Sequence, residues 1–86
     1  MYKVLLTKDA AKYYQKCDIN TKRKLSKCFE ALKDDLYTDS NIKRLHGELE
    51  GLFRYRAGSL RIVYIIEEEK ITVIIIAIGS RGDIYK

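Results

Sequence analysis

The sequence predicts a small α+β domain: a strand, a two-helix hairpin, then three strands, β-α-α-β-β-β, with the hairpin packed on one face of a twisted antiparallel sheet. Three observations predict it. In the first half, Leu25, Cys28, Phe29, Leu32 and Leu36 recur at i, i+3, i+4, i+7 and i+11, one helical stripe. In the second half, 60–66 and 71–78 are nearly continuous aliphatic runs joined by the acidic turn Glu67-Glu68-Glu69-Lys70. The chain has 86 residues, no proline, no repeat and no linker composition, so 1–86 reads as one domain.

The elements follow in order. Residues 2–6 are a short apolar run around Lys3 and read as the first strand. Thr7 can cap a helix beginning near Lys8. That helix turns Ala10, Ala11, Tyr14 and Cys17 inward, Lys12 and Lys16 outward. Asp18 or Asn20 breaks it and caps the second helix, with Lys22, Arg23, Lys24 and Lys27 outside the apolar stripe. Residues 37–41 are polar and read as loop. The stretch 42–51, IKRLHGELEG, reads as a longer connection with two glycines. After it, 52–57 alternates aromatic with arginine, then the two aliphatic strands follow, with room for a last short strand at 83–85. Strands this apolar need cover on both faces, and two helices cover only one. The other face is expected to be partly concave and occupied by something else.

Seventeen Lys and Arg against twelve Asp and Glu give +5 and a pI near 9.2. That balance favours polyanions, nucleic acid first and an acidic protein second. No run approaches the roughly 20 apolar residues that cross a bilayer, and MYKVLLTKDA is not a signal peptide. The expected compartment is the cytoplasm, with no membrane partner. Cys17 and Cys28 are too few for a disulfide framework and lack the further ligands of a structural zinc site. They read as small, mostly buried apolar residues. No metal or cofactor is called for.

The stretch LFRYRAGSLRIVY says most about function. Gly58-Ser59 suits a two-residue hairpin turn, which pairs Ala57 with Leu60 and Arg56 with Arg61. Faces alternate along a strand, so Arg54, Arg56 and Arg61 share one face. Phe53, Tyr55, Leu60, Ile62 and Tyr64 share the other, the natural face for the helices. Like charges side by side on an empty sheet are unfavourable, which points to a visiting anion. The plainer alternative is a set of surface salt bridges with Glu48, Glu50 or Asp83, each contributing roughly 0–1 kcal/mol. Beyond the last strand, Gly79 and Gly82 let the chain bend around Arg81, which can join the same cluster if the last two long strands are neighbours. Tyr85 would return over it, or instead pack to close the core.

The stretch IKRLHGELEGLFRYRAGSLRIVYIIEEEKITVIIIAIGSRGDIYK resembles the RelE/ParE superfamily of type II toxins. The likeness lies in a K-x-L-x-G segment, then R-x-R-x-G-x-x-R-x-x-Y, an acidic turn, an apolar strand, and G-x-R-x-D-x-Y-K. The N-terminal strand and helix pair fit the family order without a specific motif. The resemblance implies a toxin held inactive by a cognate, RelB-like antitoxin. In the RelE-like branch it implies an endoribonuclease that enters the A site of the 70S ribosome and cleaves the mRNA there. Carried over to matching positions, Arg61 and Arg81 are the phosphate-binding catalytic cations, and Tyr85 stacks on or orients the substrate. Arg54, Arg56, Lys43 and Arg44 are the candidate substrate-binding cations. Leu52 stands where some members have a basic residue, and Ser80 where many have histidine.

RNA brings its own nucleophile, the 2′-OH. Cleavage needs that oxygen in line with phosphorus, charge stabilised on the phosphate, and protons moved off the 2′-oxygen and onto the leaving 5′-oxygen. Clustered guanidiniums supply the charge stabilisation. They carry protons poorly, since their pKa exceeds about 12, which leaves Tyr85, His46 or a ribosomal group for proton transfer. The exposed lysines of the helices suit ribosomal RNA phosphates, an acidic antitoxin, or water. Two rival readings share the fold: a ParE-like inhibitor of DNA gyrase, and a catalytically weak relic that only binds antitoxin.

Overall fold

A computed structural model describes residues 2–34 and 41–80. Thr7 makes the first corner. It ends β1 (Lys3–Leu6), and its Oγ1 accepts the Ala10 N–H at 3.3 Å, capping α1 (Lys8–Lys16). Asp9 in the first turn and Lys16 in the last both suit the helix dipole. Asp18, not Asn20, starts α2 (Ile19–Asp34): the Thr21 N–H donates to its Oδ1 at 2.8 Å. Leu36, residues 37–40 and the proposed strand at 83–85 lie outside the described residues.

The sheet holds β1, β2 (Ile42–Arg44), β3 (Phe53–Ala57), β4 (Leu60–Glu67) and β5 (Thr72–Ser80), in the order β1-β5-β4-β3-β2. Two features depart from expectation. The 42–51 connection contains a strand, β2, followed by a 3-10 turn at Gly47–Leu49. The sheet is mixed, because β1 lies parallel to β5 while the remaining pairs are antiparallel. The helix hairpin carries the chain from β1 at one edge of the sheet to β2 at the other.

α1 packs over β5, and α2 lies against β1 and β3. Between helices and sheet sits the core: Ala10, Leu25, Cys28 and Leu32 from above, Tyr55, Leu60, Ile62, Tyr64, Val73, Ile75 and Ile78 from below. Leu25 and Leu32 are fully buried, each contributing about 1.5–3 kcal/mol. Phe53 stacks on Tyr64 with ring centroids 5.6 Å apart, extending the core towards β2. One irregularity interrupts the central pair. Val63 pairs with Ala77 and Tyr64 with Ile75, so Ile76 is a bulge residue with nothing opposite.

Candidate functional site

The hairpin register is the expected one: Ala57 opposite Leu60, Arg56 opposite Arg61, Tyr55 opposite Ile62 and Arg54 opposite Val63. Gly58 takes a φ of 61°, the left-handed conformation that the two-residue turn demands. Tyr55, Leu60, Ile62 and Tyr64 are buried against the helices, so Arg54, Arg56 and Arg61 lie on the open face by alternation. β2 adds a cation to that face, since Lys43 pairs with Arg54. β5 sets a glycine opposite Arg61, the buried Gly79.

Arg44 goes elsewhere. It pairs with Phe53 on the helix side, its guanidinium 5.4 Å from the centre of that ring. Neighbouring residues of one strand point to opposite faces, so Lys43 and Arg44 cannot serve one site. Arg44 instead makes a cation–π lid over the Phe53–Tyr64 stack. Arg81 and Tyr85 lie outside the described residues. His46 is an exposed loop residue just before the 3-10 turn.

Lys43, Arg54 and Arg56 line an open depression of about 560 Å³, with Asn41, Ile42 and Gly58. Among the described residues none of these three cations forms an ion pair, whereas Lys33 pairs with Glu30 and Lys70 with Glu67. Glu48 and Glu50 are exposed and do not engage them. The salt-bridge alternative therefore fails for Arg54 and Arg56 within that region. Arg54 is half-buried, and its Nε is buried with no hydrogen-bond partner. A charged donor left this way is costly.

The rest of the open face differs in character. Ile65, Ile74, Ala77 and Leu5 make an apolar stretch beside the cations, with Leu5 48% exposed, whereas Val63 on the same face is buried. Further along β4, at about 3.3 Å per residue, the strand ends in Glu67 and the acidic turn. One end of the sheet is thus cationic and the other anionic. On the far side of the molecule, Lys12, Lys16, Arg23, Lys24 and Lys27 are exposed on the helices, and Lys22 lies 5.8 Å from the Tyr14 ring centre. Both cysteines are free thiols. Burial, then the neighbouring Asp18 carboxylate, pushes the Cys17 thiol up, away from a nucleophile's range.

A helix hairpin on one side of a sheet, with a basic open face on the other, is the architecture of a small type II toxin. Residues 4–85 match the model of a family described as the ParE toxin of type II toxin–antitoxin system, parDE. The chain belongs to this family of the RelE/ParE superfamily and is a toxin of a type II toxin–antitoxin system. It is 43% identical over 44 residues to Toxin RelG of Mycobacterium tuberculosis, a match covering 51% of each. The matched region thus spans about half the length of that curated relative. Its fold is similar to a chain of the RelBE2 toxin–antitoxin complex from Mycobacterium tuberculosis, with TM-score 0.83, 27% identity, and 93% and 98% of the two chains covered. It is also similar to a chain of the intact E. coli RelBE toxin–antitoxin complex, with TM-score 0.77, 19% identity, and 94% and 98% covered. At that identity the second likeness shows the fold alone. Among the described residues no helix is long and apolar enough to cross a membrane.

Proposed function

We propose that this toxin is a cytoplasmic endoribonuclease that cleaves mRNA in the ribosomal A site. The observation that carries the reading is the cationic depression, where Arg54 keeps a buried, unpartnered Nε beside Lys43 and Arg56. Three such charges with no counterion among the described residues suit a polyanion. Lys43, Arg54 and Arg56 guide the RNA backbone. Arg61, with Gly79 opposite, and Arg81 hold the scissile phosphate. The 2′-oxygen attacks phosphorus, the bond to the 5′-oxygen breaks, and a 2′,3′-cyclic phosphate and a 5′-hydroxyl result. The 2′-proton leaves to a base, and a proton is delivered to the 5′-oxygen. Guanidiniums stabilise the charge that develops between these events. Tyr85 orients the base or 2′-OH, and Tyr85, His46 or a ribosomal group moves the protons. Holding the RNA in line within the ribosome supplies the remaining positioning. A RelB-like antitoxin is the cognate inhibitor in this reading, which the toxin–antitoxin complexes of similar chains support.

The ParE description of the matching family supports a second reading, inhibition of DNA gyrase. A cell-free translation reaction separates the two. Cleavage of ribosome-bound mRNA that is lost in Arg61→Ala and Arg81→Ala supports the nuclease. Intact mRNA together with persistent gyrase–DNA cleavage complexes supports the gyrase poison and ends the nuclease reading.

A further inference from the structure

β5 contains the string V-I-I-I-A-I-G from Val73 to Gly79, and its aliphatic letters alone do not say which of them face the core. The bulge decides. Before Ile76, Val73 and Ile75 are in the core. After it, Ile78 is in the core, and Ala77 and Gly79 stand opposite Val63 and Arg61 on the open face. A bulge-free pairing of Val63 with Ile76 would advance every later pair by one residue. Ile78 would then stand beside Arg61, and Gly79 would turn towards the helices.

The bulge lies where β1 gives out. The parallel β1–β5 pairing runs as far as Leu6 opposite Ile75. Thr7 continues it differently. Its N–H donates to the Ile75 carbonyl at 3.0 Å, and its hydroxyl donates to the Ile76 carbonyl at 3.3 Å. The same oxygen accepts the Ala10 N–H at 3.3 Å. The one hydroxyl proton is thus committed to the bulge and a lone pair to the helix cap, which sets the side chain's orientation.

We propose that Thr7 is a positioning residue for the cationic face: its hydroxyl holds the Ile76 carbonyl in the bulge and so keeps Gly79, not Ile78, beside Arg61. Glycine brings no side chain up beside Arg61, whereas an isoleucine there would set a branched apolar side chain against it. The consequence for RNA cleavage rests on the function proposed above, whereas the placement of Gly79 does not.

Thr7→Val removes the hydroxyl at nearly constant shape, and Thr7→Ser retains it. Each is made in the full chain and again with Ile76 deleted. That deletion turns Tyr64–Ile75 and Val63–Ala77 into consecutive pairs, which keeps the faces and abolishes the slip. The first readout is the cross-strand NOE between backbone protons of Arg61 and residue 79 or 78 in labelled protein. The expected result is a second, Arg61–Ile78 set in Thr7→Val alone, absent from Thr7→Ser and from the deletion background. The second readout is cleavage of ribosome-bound mRNA. It is expected to fall about fivefold in kcat/KM for Thr7→Val, the order one lost hydrogen bond gives, and to be unaffected by the same change in the deletion background. A residue that only caps α1 would cost the same in both backgrounds. If Thr7→Val shows the Arg61–Gly79 contact alone, the proposal is overturned, whatever the cleavage assay gives. If wild type cleaves no RNA, the nuclease reading fails and the NOE still decides the role of Thr7. If the deletion protein does not fold, the Val and Ser variants of the full chain decide it by the same NOE.

Discussion

Replacing Arg54 by methionine is expected to stabilise the protein while weakening its hold on polyanions. A buried donor without a partner costs about 1–3 kcal/mol. Arg54 is half-buried and opens onto the depression, so the lower end, about 1 kcal/mol, applies to its Nε. Lys43 stands directly opposite on β2, and like charges in that arrangement cost a further ~0.2–1 kcal/mol. Methionine keeps the length and flexibility of the arginine stem. Together these give a gain of about 1–2 kcal/mol, or a rise in Tm of roughly 4–16 °C for a domain of this size. Thermal unfolding followed by circular dichroism at low salt measures the gain, and RNA binding in the same buffer measures the loss. Sulfate should raise the Tm of wild type more than that of the variant, because only wild type keeps the Arg54 charge beside Lys43 and Arg56 at the depression. A variant that melts at or below wild type and binds RNA equally well would refute the reasoning.

Two further substitutions test other parts of the fold. Ile71 follows the acidic turn with φ 48° and ψ 49°, a left-handed conformation that costs an L-residue about 1–2 kcal/mol. Its side chain is 54% exposed, so Ile71→Asn is expected to stabilise by about 1 kcal/mol; a urea midpoint no higher than wild type counts against this. Hydrogen bonds from the Thr21 side chain and then its backbone N–H hold the Asp18 carboxyl below the ordinary aspartate value. A carboxyl lowered by folding contributes stability at neutral pH and loses it as pH falls through the lowered value. Asp18→Asn keeps a capping oxygen without that titration. Wild type should therefore lose stability relative to the variant below pH ~4, and a difference constant with pH would dismiss the linkage.

The pairing of Arg56 with Arg61 was legible in two letters. Gly58-Ser59 sets a two-residue turn, the turn sets the register, and a period of two sets the faces. The helix hairpin was legible because Leu25, Cys28 and Leu32 repeat at helical spacing. β2 was not, because Ile-Lys-Arg is too short to show an alternation and carries cations on consecutive residues. With β2 unseen, nothing separates Lys43 from Arg44. Their spatial divorce follows only once 42–44 is known to be a strand. The parallel partner of β1 was hidden for a different reason. Lys3 finds Thr72 across nearly the whole chain, and a contact that distant leaves no local trace. The bulge at Ile76 is equally silent, since any of the neighbouring isoleucines could have been the extra residue.

That first-to-last pairing has a bearing on how the protein is made. As the polypeptide grows, Lys3–Leu6 and the two helices emerge with no platform beneath them. The β3–β4 ribbon can zip early, but it has no roofed interior until Thr72–Ser80 slots between β4 and β1. Such distant closure is slow and comes late. The sheet and its basic face are therefore complete only once Thr72–Ser80 has emerged, and an antitoxin produced beforehand meets a chain that is still coming together.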